Sequence, residues 1–149
     1  MTTATVEDRR HAMGRFSVEV NLANRDDVFD YGKGRLSAAA VRRVKLSGVV
    51  DTGATRLVLP ESVVIALGLT EHGETTAKYA DGRTATKKIV GDVVLEFCGR
   101  RGVFSAVVEP NRTDALIGAI VMEELDLIAD CTTQKLHPRD PNTTITELE

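Results

Sequence analysis

The segment Val49-Val50-Asp51-Thr52-Gly53-Ala54-Thr55 constrains this 149-residue chain more than any other stretch. Two β-branched apolar residues run straight into an acid, a hydroxyl and a glycine. That order fits a buried strand that ends by delivering a carboxylate to a tight turn. A buried Asp needs partners that satisfy its charge. Thr52 can supply a hydroxyl, and Gly53 lets backbone come close. The plain alternative is a polar turn after an ordinary strand, so the flanking sequence has to decide. Downstream, Leu57-Val58-Leu59 is a short apolar run closed by Pro60. Much later, Ala115-Leu116-Ile117 forms another, ending on Gly118.

The remaining pattern is mostly β. Phe16, Val18, Val20 and Leu22 alternate with Ser17, Glu19 and Asn21, as in a half-buried strand. Residues 24–36 are charged and carry Gly32 and Gly34, which reads as a loop. Val41, Val44 and Leu46 lead through Gly48 into the strand that ends at Asp51. Pro60 suits a first helical position, Glu61 its first turn, and Gly68 its stop, with Val63, Val64 and Leu67 as the apolar face. Thr75 to Ala80 and Arg83 to Val90 flank Asp81-Gly82, the signal for a hairpin with a two-residue loop. Val93 to Gly99 and Val103 to Val108 read as strands. Residues 120–127 read as a second short helix, and Ile128 with Ala129 opens an exit strand. The expected organisation is a polar, mobile segment over 1–14, one domain over 15–136, and a polar, mobile tail over 137–149 that carries Pro138 and Pro141.

Composition bounds the function. Charged residues are 28% and apolar residues 42% of the chain, which is the balance of a single globular domain and not of a disordered one. The net charge of −3 gives no reason to expect a nucleic-acid or membrane partner. No apolar run approaches a membrane span, and no signal-peptide pattern follows Met1, so the expected address is the cytoplasm. Cys98 and Cys131 are too few for a disulfide framework and lack the spacing of a metal site. Both are expected as reduced, buried, small hydrophobes. His11, His72 and His137 stand in polar contexts and are expected at the surface. There is no Gly-rich phosphate loop and no His/Glu metal spacing.

In order, the apolar pair, Asp51-Thr52-Gly53-Ala54, Leu57-Val58-Leu59, the Asp81-Gly82 hairpin, Val93 to Gly99 and Leu116-Ile117-Gly118 resemble the retropepsin-like aspartic proteases. These are the retroviral protease type and its single-domain bacterial relatives. The resemblance spans residues 41 to 136 and implies an all-β closed barrel with one or two short helices and a flap hairpin. It also implies a peptidase that needs no cofactor and no metal. Such enzymes use two facing carboxylates that share one proton. One carboxylate is general base on a water; the other donates to the substrate carbonyl. This chain has one Asp-Thr-Gly and no internal repeat. Its other acids, such as Asp26, Asp92, Asp114 and Asp130, lack that context. The second carboxylate must then come from a second copy, in a C2 homodimer with Asp51 facing Asp51.

The other roles follow from the same resemblance. Thr52 matches the hydroxyl that bonds across the two-fold, and Gly53 the backbone that approaches the acid pair. Ala54 stands where many two-domain enzymes carry a hydroxyl, which implies a less acidic optimum. Tyr79, Ala80, Asp81 and Gly82 occupy the flap, where Tyr79 either reaches over substrate or anchors the hairpin. Leu116, Ile117 and Gly118 match the segment beneath the active-site loop. The sequence departs from the retroviral pattern in two places. Ala119 and Ile120 replace the Arg-Asn after the late glycine, so the dimer must be held otherwise. The flap has a single glycine, Gly82, between charged residues. These departures keep a second reading open, a non-catalytic dimeric module that binds a peptide or partner protein.

Overall fold

The structure is a computed structural model that describes residues 15–149; the expected segment 1–14, with His11, lies outside the described residues. Strand β1 (Arg15–Asn24) buries Phe16, Val20 and Leu22 and exposes Ser17, Glu19 and Asn21, as its alternation dictates. It pairs antiparallel with β2 (Arg43–Asp51), in a register that sets Arg15 opposite Asp51. The chain then forms β3 (Leu57–Pro60), β4 (Thr70–Lys78), β5 (Thr84–Phe97), β6 (Arg100–Glu109) and β7 (Ala115–Ile117). A separate antiparallel pair, β8 (Leu127–Asp130) and β9 (Lys135–Pro138), completes the strands of the described residues.

Six of these strands close a barrel. Their order is β1-β2-β7-β3-β6-β5, and β5 pairs back to β1 through Asn21 to Asn24. The seventh strand of this sheet, β4, bonds among the described residues only to β5 and stands outside the closure as one arm of a hairpin. Val20, Val50, Leu57, Leu59, Leu95 and Ile117 fill the interior with no exposed surface. This is the all-β, single-domain, retropepsin-like closed barrel expected from the sequence. Strands β2 and β3 are consecutive in the chain but are not neighbours. β7 lies between them, parallel to β2 and antiparallel to β3. The turn after Asp51 therefore has to cross the end of β7.

Helices number more than expected. Helix α1 (Arg25–Gly32) occupies residues read as a loop. Its signal is capping and not periodicity. The Asn24 side chain accepts from Asp27 N at 3.1 Å, and Asp26 and Asp27 complement the dipole in the first turn. Only Val28 of its residues is buried, so no apolar stripe announced it. Helix α2 (Glu61–Leu67) has Pro60 as its cap instead of its first helical residue, and Gly68 ends it at φ +62° as expected. Helix α3 (Ala119–Glu124) is shorter than the expected 120–127, because Leu127 already belongs to β8.

Two turns differ from expectation. The β4–β5 loop has three residues, Ala80-Asp81-Gly82, because Tyr79 N donates to Arg83 O at 2.9 Å and Gly82 takes φ +86°. The two-residue loop lies at Cys98-Gly99, with φ +51° and +74°, between β5 and β6. Cys98 is consequently exposed and Cys131 half-buried, against the expectation that both are buried. His72 and His137 are exposed. The expected boundary between residues 136 and 137 falls inside β9. Beyond it, Arg139 N donates to Asp126 O and Ile145 N to the Asp126 carboxylate.

Asn24 ties the start of α1 to the end of α2, since its buried Nδ2 also donates to Leu67 O at 2.8 Å. Asn24→Ala removes the cap and leaves a buried carbonyl unpaired. A loss of about 1–3 kcal/mol is expected in a urea titration. Nearby, Asp27 accepts from Arg42 Nε at 2.7 Å and Nη2 at 3.0 Å. The hydrogen bond from Arg42 holds the Asp27 carboxyl below its ordinary range. Its contribution is therefore complete above the unfolded value, about 3.9, and disappears as pH falls through the lower folded value. Asp27→Asn is expected to lower Tm at neutral pH and to lower it less at about pH 3, read by thermal melts.

Candidate active site

Asp51 is the last residue of β2, and the turn after it closes with Ala54 N donating to Asp51 O at 3.1 Å. Within that turn Gly53 N donates to Asp51 Oδ1 at 2.9 Å. The other oxygen, Oδ2, lies 3.1 Å from Arg15 Nη2, across the β1–β2 ladder. The Asp51 side chain keeps only 14% of its surface exposed. Both oxygens thus have a partner, as a nearly buried carboxylate requires. Thr52 and Gly53 are exposed at the tip of the turn.

The turn is held from behind. Ala54 O accepts from Ala119 N at 2.8 Å, and Thr55 O from Ile120 N at 3.0 Å, so α3 begins on the turn that follows Asp51. This contact needs a residue without a side chain at 118. A Cβ there would sit 2.6 Å from the Thr55 carbonyl carbon and 2.7 Å from Arg56 N, and closer still to Arg56 O. Gly48 does a similar service on β2, where a Cβ would meet Ile117 Cδ1 at 2.6 Å. Ile117, opposite both Val50 and Leu57, is the buried plug between the two strands that flank the turn.

Above the turn projects the β4–β5 hairpin, and between them lies an open cleft of about 930 Å³. Asp51, Gly53, Ala54, Tyr79, Ala80, Asp81 and Leu116 all line it, which brings seven of the expected site residues together. Thr52, Gly82, Ile117 and Gly118 do not line it. Ile117 and Gly118 act from beneath, through the loop. Val58 and Val107 give the floor an apolar patch beside Leu116. Among the described residues, no group of three His, Cys, Asp or Glu could hold a metal ion.

Tyr79 anchors the hairpin. Its hydroxyl donates to Glu109 Oε1 at 2.7 Å, and Lys87 Nζ stands 3.7 Å from Oε2. The accepting carboxylate pushes the Tyr79 phenol above its ordinary range. Asp81 folds onto the hairpin itself, 2.6 Å from Arg83 Nε, and the Arg83 guanidinium sits 5.6 Å from the Tyr79 ring centre. Sequence reasoning missed Arg15, Glu109 and the cleft cations Arg56, Lys78 and Arg112. Glu109 follows an apolar run as any strand end does, and the Arg15–Asp51 pairing is a matter of cross-strand register that no single strand reveals.

A family model described as aspartyl protease matches residues 37–121, which run from before β2 into α3. Among solved structures, the EIAV protease complexed with the inhibitor HBY-793 superposes with a TM-score of 0.54 at 16% identity. The match covers 83% of this chain and 94% of that chain. No curated protein sequence matches.

Two substitutions test this construction. Gly118→Ala must push the 54–56 backbone away, and a loss of about 1–3 kcal/mol is expected by urea titration. Tyr79→Phe removes a hydrogen bond to a charged group while leaving the barrel intact. Hydrogen exchange at the Tyr79 and Gly82 amides is expected to quicken about tenfold.

Proposed function

We propose, from the premise that this chain belongs to the aspartyl protease family, that it is an endopeptidase active only as a C2 homodimer. Asp51 of each copy supplies half of a shared-proton pair. One carboxylate takes a proton from a water as that water attacks the peptide carbonyl; the other gives its proton to the carbonyl oxygen. The observation that carries this reading is the local geometry of Asp51. It is a nearly buried acid at the end of a barrel strand, oriented by Gly53 N and opening onto a cleft beneath a hairpin.

The parts have roles that follow from their positions. Gly53 N fixes one oxygen, and the other, paired with Arg15 in the single chain, is the one proposed to meet its counterpart across the two-fold. Thr52, exposed at the tip of the turn, is placed to bond to its counterpart in the second copy. The β4–β5 hairpin acts as the flap. Among the described residues β4 pairs with β5 alone, which leaves its second edge for an extended peptide to add as a strand. Ala54 and Leu116 touch that peptide from the floor, and Ala80 and Asp81 from the flap, with Gly82 giving the flap its turn. Tyr79 serves as the flap's anchor. Leu116, Ile117 and Gly118 hold the catalytic turn in register. The free thiols of Cys98 and Cys131 suit a reducing compartment, and the cytoplasm is the proposed address. The domain proper is taken as 15–136, flanked by 1–14 and 137–149.

One observation favours a second reading. The Arg15 guanidinium on Oδ2 settles Asp51 within a single chain, as a structural ion pair would. A non-catalytic dimeric module that binds a peptide or partner protein could keep that pair permanently. A peptide-library digest at several pH values, with the mass in solution measured alongside, separates the two. For the enzyme, Asp51→Asn is expected to cut kcat by about 10⁴-fold or more while fold and dimer persist. Activity per chain is expected to fall on dilution below the dimer dissociation constant. Unchanged peptide handling by Asp51→Asn would support the module instead.

A further inference from the structure

The cleft is basic although the chain is acidic. Five cations line it, Arg15, Arg56, Lys78, Arg83 and Arg112, against the three acids Asp51, Asp81 and Glu109. The whole chain carries a net charge of −3. Each of the three acids is already engaged: Asp51 with Arg15, Asp81 with Arg83, and Glu109 with Lys87. Arg112 is held by Asp114 at 3.3 Å. Arg56 and Lys78 are exposed and stand in no ion pair with a described residue.

Both cations sit on well-fixed backbone. Arg56 follows the catalytic turn, where the Ile120 N to Thr55 O bond and the packing of Gly118 hold the chain. Lys78 ends β4, paired with Thr84, immediately before the anchored Tyr79. One belongs to the floor and the other to the flap, and Val58, Val107 and Leu116 line the same cleft. An extended peptide sends alternate side chains to opposite sides. A side chain resting on the apolar patch therefore has its immediate neighbours turned toward the flap that carries Lys78, while Arg56 stands on the floor with the patch.

We infer that this cleft selects peptides carrying a Glu or Asp beside an apolar residue at the cleavage point, with Arg56 and Lys78 as the specificity residues. The inference rests on the peptidase reading and names its substrate class. A two-fold would repeat both cations, so an acidic residue on either side of the bond is recognised. The interaction is partly solvated and screened by salt, so its effect is selective and not absolute.

The test uses three peptides with the same apolar pair and Glu, Gln or Lys next to it. With the full-length wild-type chain, kcat/KM is expected to rank Glu over Gln over Lys. Each step is about three- to tenfold, carried by KM and shrinking as salt is raised. Arg56→Glu combined with Lys78→Glu is expected to reverse the ranking. In parallel, fluorescence anisotropy reads binding of the same peptides to Asp51→Asn. If no peptide is cut but Asp51→Asn still binds Glu over Gln over Lys, the peptidase reading falls and the selectivity stands. Equal values for the three peptides, or a ranking that survives both charge reversals, overturns the inference. Absence of binding to all three overturns both.

Discussion

A single hydrogen bond, from Gly53 N to one oxygen of Asp51, fixes the direction of the acid at the mouth of this cleft. The bond forms only if the backbone doubles back sharply within two residues of the strand end. That reversal survives because β7 passes between β2 and β3 and presents Gly118 to the underside of the turn. The barrel interior, the plug at Ile117 and the start of α3 all serve to hold this crossing at close range. A strand that paired directly with its successor would leave no such shelf.

Charge explains why the arrangement is tolerable in a lone chain. A carboxylate with 14% of its surface exposed pays a desolvation cost unless its partners are good. Here a backbone amide and a guanidinium share that duty. The same economy runs through the cleft walls, where Asp81 and Glu109 are each matched to a neighbouring cation. What the walls leave over is positive, at Arg56 and Lys78. The cleft thus combines an apolar floor with a basic rim.

Much of this was legible in the residues alone, for identifiable reasons. The strand ending at Asp51, the short β3 run and the late Leu116-Ile117-Gly118 are marked by apolar residues abutting turn formers, and their order carries the barrel. Gly68 ended its helix where expected, because only a left-handed residue fits there. What escaped lacked a local signature. Helix α1 rests on Asn24 and its acids, with a single buried side chain and two glycines arguing against it. The Asp81-Gly82 pair suits loops of two or three residues, and ladder register chose three. Cys98 reads as interior in the sequence because the turn at Cys98-Gly99 lies between two apolar strands that look continuous. Arg15 at Asp51, and Glu109 under Tyr79, are contacts between segments far apart in the chain, with separations that no window of sequence spans.

The barrel's seam has an asymmetry that matters for the acid. β1 touches β5 only through Asn21 to Asn24, at the end remote from Asp51. From Arg15 to Val20 the same strand has just one ladder neighbour, β2, among the described residues. Fraying of that half-bound stretch can lift the guanidinium away from its carboxylate without unzipping the closure, since the staves stay locked at the far rim. The cation at the mouth is thus carried on a stretch of wall that, among the described residues, is laddered on one side alone.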